Sequence, residues 1–297
     1  MGRKYAAEFV GTLLLVFFGA GAAALVFGFH LYGDSLAAGV VMVALAFGLI
    51  YAALVYVTGP ISGGHVNPAV TLGALLSRRI GPVEAVGYWV AQLAGGIIGA
   101  LLLLWMMGGS PYYSKRSIGL GANGYGAQSL LHVDAGGAFL VEVLITTAFV
   151  LVVLSLTREE ASIAVSGMGI GITLALVNLI GIPFDGASVN PARSFGPAVV
   201  AGGAALSQVW VFLVAPLVGA VFATIFHYLL YPLPEGIRFP GMRGNHATRA
   251  AAGSTATVPP QSTVPPESTV PPESTVPPQS TVPPQSIVPP ESTGPGE

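Results

Sequence analysis

The chain has 297 residues, 53% of them apolar and only 8% charged, with a formal net charge of −2 and a mean hydropathy of +0.74. Such values are far from soluble averages and place it among polytopic membrane proteins. The near-neutral charge implies no nucleic-acid partner, and the absence of cysteine excludes disulfides, thiol catalysis and thiolate metal sites.

The first predicted span runs from about Tyr5 to Gly28. Its apolar run is longer than a secretory signal core and carries Glu8 early, so it is expected to be retained. The second span covers Leu36 to Val57, and after it comes Ser62-Gly63-Gly64-His65-Val66-Asn67-Pro68-Ala69-Val70. Asn67 is placed to N-cap a helix, with Pro68 in its first turn, where a missing N–H costs nothing. The apolar run that follows ends near Ser77, roughly 15 Å of helix against a hydrocarbon core of roughly 30 Å. It is a half helix starting at membrane depth. Irregular backbone there is tolerated only where it is buried in protein or lines a wet cavity.

The third span covers Glu84 to Met107, a connecting loop fills 109–136, and the fourth and fifth spans cover Gly137 to Thr157 and Ile163 to Ile180. A second box, Gly186-Ala187-Ser188-Val189-Asn190-Pro191-Ala192-Arg193-Ser194, then repeats the first, and Leu206 to Tyr231 forms the sixth span. From Thr257 to Ser292 the chain repeats Thr-Val-Pro-Pro-Gln/Glu-Ser, with Ile287 replacing one Thr. Paired prolines favour extended polyproline II, so 236–297 is expected to be a disordered, semi-stiff cytoplasmic tail, a spacer in preference to a ligand for a proline-recognising groove.

The halves match beyond the boxes. Ala6-Ala7-Glu8-Phe9-Val10-Gly11-Thr12 is echoed by Leu140-Val141-Glu142-Val143-Leu144-Ile145-Thr146, and Ala91-Gln92-Leu93-Ala94-Gly95-Gly96 by Ala215-Pro216-Leu217-Val218-Gly219-Ala220. Each half, about 1–108 and 137–235, has three spans, an odd number, so the repeat is inverted and the two half helices enter from opposite faces. Their N-terminal asparagines then point at each other near the midplane. Gly95, Gly96, Gly99, Gly219 and Ala220 suit close helix crossings.

An even span number puts both termini on one side, together with Arg3, Lys4, Arg78, Arg79, Arg158, Arg238, Arg243 and Arg249. Only Lys115 and Arg116 fall in the opposite loops. The positive-inside rule makes the termini cytoplasmic.

Facing helix N-termini focus positive potential at the midplane, and the Asn67 and Asn190 amides offer donors to a passing oxygen. Gly63, Gly64, His65, Val66, Gly186, Ala187, Ser188 and Val189 must turn without helical bonds, leaving carbonyls to line a pore. That combination conducts neutral solutes and opposes cations and hydronium. Glu8 and Glu142, one per repeat, are assigned to accept backbone N–H bonds from the two irregular loops, in preference to relaying protons. His65 is assigned to bracing its loop. His30, His132 and His227 lack metal-ligand spacing, and no nucleophile constellation points to an enzyme. An ion-coupled transporter shares inverted repeats and broken helices, but apart from Glu8, Glu142 and Arg193 the spans offer nothing to carry an ion.

Gly64-His65-Val66-Asn67-Pro68-Ala69-Val70-Thr71 and Asn190-Pro191-Ala192-Arg193-Ser194-Phe195-Gly196-Pro197, in an inverted six-span repeat, resemble the aquaporin (major intrinsic protein) family over all but the tail. The resemblance implies an all-α membrane protein, a right-handed bundle of six spanning and two half helices, with a pore in each subunit of a homotetramer in the cell membrane. It needs no cofactor and no metal. Its pore boxes map to Asn67, Pro68, Ala69, Asn190, Pro191 and Ala192, and its constriction to Phe47, Asn178, Ala187 and Arg193. Water-selective members usually carry His where this chain has Asn178 and Cys or Thr where it has Ala187, so this ring is expected to be wider and to lack a titrating group. Glycerol facilitators typically carry Asp after the Arg and a basic residue four further on, where this chain has Ser194 and Ala198, while Phe212-Leu213 is a mixed signature. Water is the expected main solute, with glycerol and similar small neutral solutes the alternative.

Overall fold

The computed structural model of the chain describes residues 1–114, 119–158 and 163–231. Lys115, Arg116 and the tail assigned to 236–297 lie outside them. Six described helices are long and apolar enough to cross a membrane. We number the helices α1 (Gly2–Gly28), α2 (Leu36–Ser62), α3 (Pro68–Leu76), α4 (Pro82–Gly108), α5 (Ala135–Leu156), α6 (Ile163–Asp185), α7 (Pro191–Ala201) and α8 (Gly203–Leu230). Helices α3 and α7 are the two half helices, capped by the side chains of Asn67 and Asn190.

Most borders fall within a few residues of the sequence expectation, but two helices run a further turn and more. Helix α2 continues beyond Val57 through Pro60 to Ser62, and α6 beyond Ile180 through Pro183 to Asp185. A proline in the last turn forfeits one ladder bond, a cost that packing offsets. Each helix then stops at a glycine in the left-handed region, Gly63 at φ 90° and Gly186 at φ 85°, whose N–H bonds the carbonyl of Gly59 or Ile182. The extra turns carry Ser62 and Asp185 into the buried loops, and Asp185 joins Glu8, Glu142 and Arg193 as a charged-type residue at depth.

Small residues let the helices touch backbone to backbone. A Cβ on Gly95 of α4 would lie 2.3 Å from the Phe9 carbonyl oxygen of α1, and one on Gly99 would lie 2.6 Å from that of Leu13. The second repeat copies this crossing, with Gly219 of α8 against Val143 and Thr146 of α5. Where the repeats meet, Gly196 of α7 sits on the Gly96 carbonyl of α4, its added Cβ only 2.2 Å away. Lipid provides no hydrophobic drive between helices, so this close packing supplies the association. Gly196→Leu is expected to abolish folded protein in the membrane fraction, whereas Gly2→Leu, with nothing within 4 Å of the added Cβ, leaves the yield unchanged. Equal yields of the two variants, measured by detergent size exclusion, would contradict the crossing.

Polarity is arranged inside out. Leu49, Leu140, Leu144, Ile172 and Leu229 are exposed on outer faces, whereas Glu8, Gln92, Glu142 and Arg193 are buried. At the end that holds Lys4, paired with Glu84 at 2.8 Å, Arg79 donates to the Leu154 carbonyl (2.7 Å) and the Thr157 hydroxyl (2.8 Å). This caps the C-terminus of α5 with the cation its dipole favours.

Candidate functional site

The two loops that precede α3 and α7 are built on unfavourable backbone. Val66, Ala187 and Val189 have φ of 51°, 48° and 57°, a region that β-branched residues in particular avoid. Buried carboxylates hold them there. Glu8 Oε1 accepts from the His65 N–H (3.0 Å) and the Ser62 hydroxyl (2.6 Å), and Oε2 from the Val66 N–H (2.5 Å) and the Gln92 amide (2.7 Å). In the second repeat Glu142 accepts from the N–H groups of Ser188 (2.5 Å) and Val189 (2.9 Å). The His65 ring bonds the Thr71 hydroxyl at 3.1 Å and stands edge-on to Tyr88.

Between the loops the boxes meet. Asn67 Oδ1 accepts from the Ala69 N–H at 2.8 Å, while its Nδ2 donates to the Val189 carbonyl at 2.9 Å. Asn190 Oδ1 accepts from the N–H groups of Ala192 (3.0 Å) and Arg193 (3.2 Å), while its Nδ2 donates to the Val66 carbonyl at 2.9 Å. Each amide thus caps its own helix and ties down the opposite loop. One hydrogen of each NH2 is taken, so a passing oxygen finds one donor per asparagine, not two. Pro68, Ala69, Pro191 and Ala192 are buried at this junction.

The loop carbonyls divide in the same way. Those of Val66 and Val189 take the asparagine bonds, that of His65 accepts from the Tyr51 hydroxyl at 2.5 Å, and that of Gly186 from Arg193 Nη2 at 3.4 Å. Among the described residues the carbonyls of Gly63, Gly64, Ala187 and Ser188 carry no such bond.

Arg193, 2% exposed, lies at the first turn of α7. Its Nη1 donates to the Gly121 carbonyl at 2.8 Å, its guanidinium carbon sits 4.7 Å above the Phe47 ring, and its Nε has no protein partner. Pinned at both ends and stacked on a ring face, it has one orientation. A Cβ on Gly19 of α1 would lie 2.3 Å from the Phe47 ring, so glycine there makes the room for Phe47. Ala187 packs against Gly181. Asn178 of α6 spends its amide nitrogen on the Leu174 carbonyl at 2.8 Å, which leaves its buried Oδ1 free. Phe47, Ala187 and Arg193 are therefore brought together, Ala187 following the Gly186 that Arg193 touches, and Asn178 presents an acceptor where a donor-bearing histidine would offer both functions. A cavity of about 850 Å³ reaches Arg193 and is lined among others by Phe27, Asn123, Asp185 and Gly186.

Several of these residues escaped sequence reasoning. Gly121 and Asn123 lie in the connecting loop, where Asn123 accepts from the Ser194 hydroxyl at 2.7 Å. Tyr51 of α2 reaches the first loop directly, and Gln92 of α4 supports it through Glu8 and the Thr71 hydroxyl (2.9 Å). The intramembrane polarity of Gln92 was the available signal. Asp185 was hidden by ending its span at Ile180.

The major intrinsic protein family model matches residues 1–227. This chain belongs to the major intrinsic protein family. Its members are passive channels, and this channel is not an enzyme. It is 39% identical over 235 residues to Aquaporin Z of Rhodopseudomonas palustris, covering 79% of this chain and 96% of that protein. It is 41% identical over 222 residues to the glycerol uptake facilitator protein-like 6 of Lactiplantibacillus plantarum, covering 74% and 94%. Among solved structures, the aquaglyceroporin from Plasmodium falciparum superposes with a TM-score of 0.68 at 25% identity, covering 78% of this chain and 98% of that one. The all-helical inverted architecture of this membrane channel is thus a shared one, and its relatives carry both water and glycerol names.

Proposed function

We propose that this channel conducts water as its main solute while excluding protons and ions. The observation that carries the reading is the reciprocal lock of Asn67 on the Val189 carbonyl and Asn190 on the Val66 carbonyl, each 2.9 Å. It aims two helix N-termini and two single amide donors at one point. A water oxygen held there has its hydrogens turned outward, and the positive potential opposes hydronium. In this reading Phe47, Asn178, Ala187 and Arg193 form the constriction, the loop carbonyls form the acceptor ladder, and Glu8 and Glu142 support the loops. The channel unit spans 1–235, its termini face the cytoplasm, and it assembles as a homotetramer in lipid with the 236–297 tail appended. Ser194 favours water over glycerol: its hydroxyl is engaged with Asn123 and Ser188, where a glycerol facilitator would carry Asp.

A second reading, a broader facilitator of glycerol and similar neutral solutes, is favoured by the small Ala187 and by Asn178, whose free oxygen is an acceptor for a hydroxyl. Stopped-flow light scattering on proteoliposomes separates the two. Fast osmotic shrinkage, slow glycerol re-swelling and a silent proton dye are the result expected of a water channel, whereas rapid glycerol entry selects the broader facilitator. Asn178→His should cut glycerol entry several-fold more than water flux, because the larger ring narrows the constriction. Equal losses of both fluxes would remove Asn178 from it.

A further inference from the structure

The two repeats support their loops with unequal chemistry. Glu8 is saturated by four donors, two backbone N–H groups, the Ser62 hydroxyl and the Gln92 amide. That is what a buried ionised carboxylate needs. In the second repeat Pro216 stands where the first has Gln92 and brings no side-chain donor, and Asp185 stands where the first has Ser62, each five residues before its box asparagine. Glu142 is left with the N–H groups of Ser188 and Val189. Beside it lies the Asp185 carboxyl, which takes the N–H immediately before these two in the loop, that of Ala187. Glu142 is 0% exposed and Asp185 1%. Asp185 Oδ1 accepts from the Ala187 N–H at 2.9 Å, and Oδ2 has no donor. The charged group that faces both from α7 is Arg193. Two ionised carboxylates here would repel each other and leave one negative charge buried in excess of the arginine.

We propose that Asp185 and Glu142 hold a single proton between them, Asp185 acting as the donor that Ser62 is in the first repeat, and that this carboxyl–carboxylate pair is the positioning element of the second loop. The assignment balances the charge, one anion against Arg193, and gives every carboxyl oxygen a partner. The pair then receives three consecutive backbone N–H groups, those of Ala187, Ser188 and Val189, and so sets the loop that carries Ala187 and the Gly186 carbonyl on which Arg193 rests. The consequence for permeation rests on the channel reading above. The proton itself does not.

The test is infrared spectroscopy of the purified full chain at neutral pH, in an ester-free detergent, with exchange from H2O to D2O. The wild type is expected to show a deuteration-sensitive carbonyl stretch of a protonated carboxylic acid that Asp185→Asn and Asp185→Ser both lack. Serine restores the first-repeat arrangement and guards against failure of the asparagine variant to fold. No such band in the wild type, or a band that survives Asp185→Asn, overturns the shared proton. In proteoliposomes Asp185→Asn, which keeps a donor and an acceptor, should hold water permeability within about twofold of wild type, while Asp185→Leu, which keeps neither, should lose more than about tenfold per folded channel. Unchanged flux in Asp185→Leu overturns the positioning role. Absence of water flux from the wild type would instead sink the channel reading and leave the infrared result standing.

Discussion

Glu8→Leu is expected to remove the protein from the membrane. The substitution leaves the N–H groups of His65 and Val66 and one Gln92 donor buried without an acceptor, while the Ser62 hydroxyl keeps only the Thr58 carbonyl at 3.2 Å. Each buried unsatisfied group costs about 1–3 kcal/mol, so three of them are comparable with the whole stability of a marginal domain, about 5 kcal/mol. The loss also releases Val66 from the positive φ at which only its surroundings hold it. Glu8→Gln keeps one acceptor oxygen but turns an NH2 toward a backbone N–H, so an intermediate yield and a lowered thermal midpoint are expected. Detergent size exclusion and thermal unfolding of the three proteins measure this. A Glu8→Leu variant with wild-type yield and midpoint would show that the loop folds without the carboxylate.

Arg193→Val should open the channel to ions and protons with little change in water flux. In the proposed channel the guanidinium is the fixed positive charge of the constriction; it is held by the Gly121 carbonyl and stacked on Phe47. At an effective dielectric constant of 20, a unit charge about 4 Å from a passing cation opposes it by about 4 kcal/mol. Its removal is therefore worth up to about a thousandfold in cation or proton leak at 1.4 kcal/mol per decade. Glycerol entry should also rise, because valine neither fills the same space nor reaches the Gly121 and Gly186 carbonyls. Arg193→Lys keeps the charge without the two-ended hold, and most of the ion exclusion should persist. Proton flux is read with a pH dye in potassium-loaded proteoliposomes. A leak unchanged by Arg193→Val would place the whole barrier at the Asn67 and Asn190 junction.

These two variants probe residues that the sequence marks in the same way. Glu8 and Arg193 stand out in sequence because a charge at membrane depth is expensive and is retained only with a purpose. Their partners do not stand out. Nothing in the connecting loop marks Gly121 as the carbonyl that fixes Arg193, and a sequence ending the fifth span at Ile180 gives no reason to bring Asp185 against Glu142. The spans predicted to end at Val57 and Ile180 run on through Pro60 and Pro183 to glycines that take the left-handed turn. A proline in the last turn forfeits only one ladder bond, so it does not end the helix in either place.

By itself the sequence determined the six spans, the two half helices with their asparagine caps, the inverted repeat and the buried carboxylate of each half. It could do so because lipid makes the governing constraints local: a span must be apolar along its length, and a helix that starts inside the membrane must be capped where it starts. Only the tertiary structure decided which carbonyls the Asn67 and Asn190 amides occupy, what pins Arg193, and that Glu8 is met by four donors while Glu142 is met by two and a second carboxyl. Those pairings include hydrogen bonds between residues from 46 to 124 positions apart. The strength of each depends on ångström-scale distance between helices whose crossing is set by glycines far from either partner, and no local pattern encodes that distance.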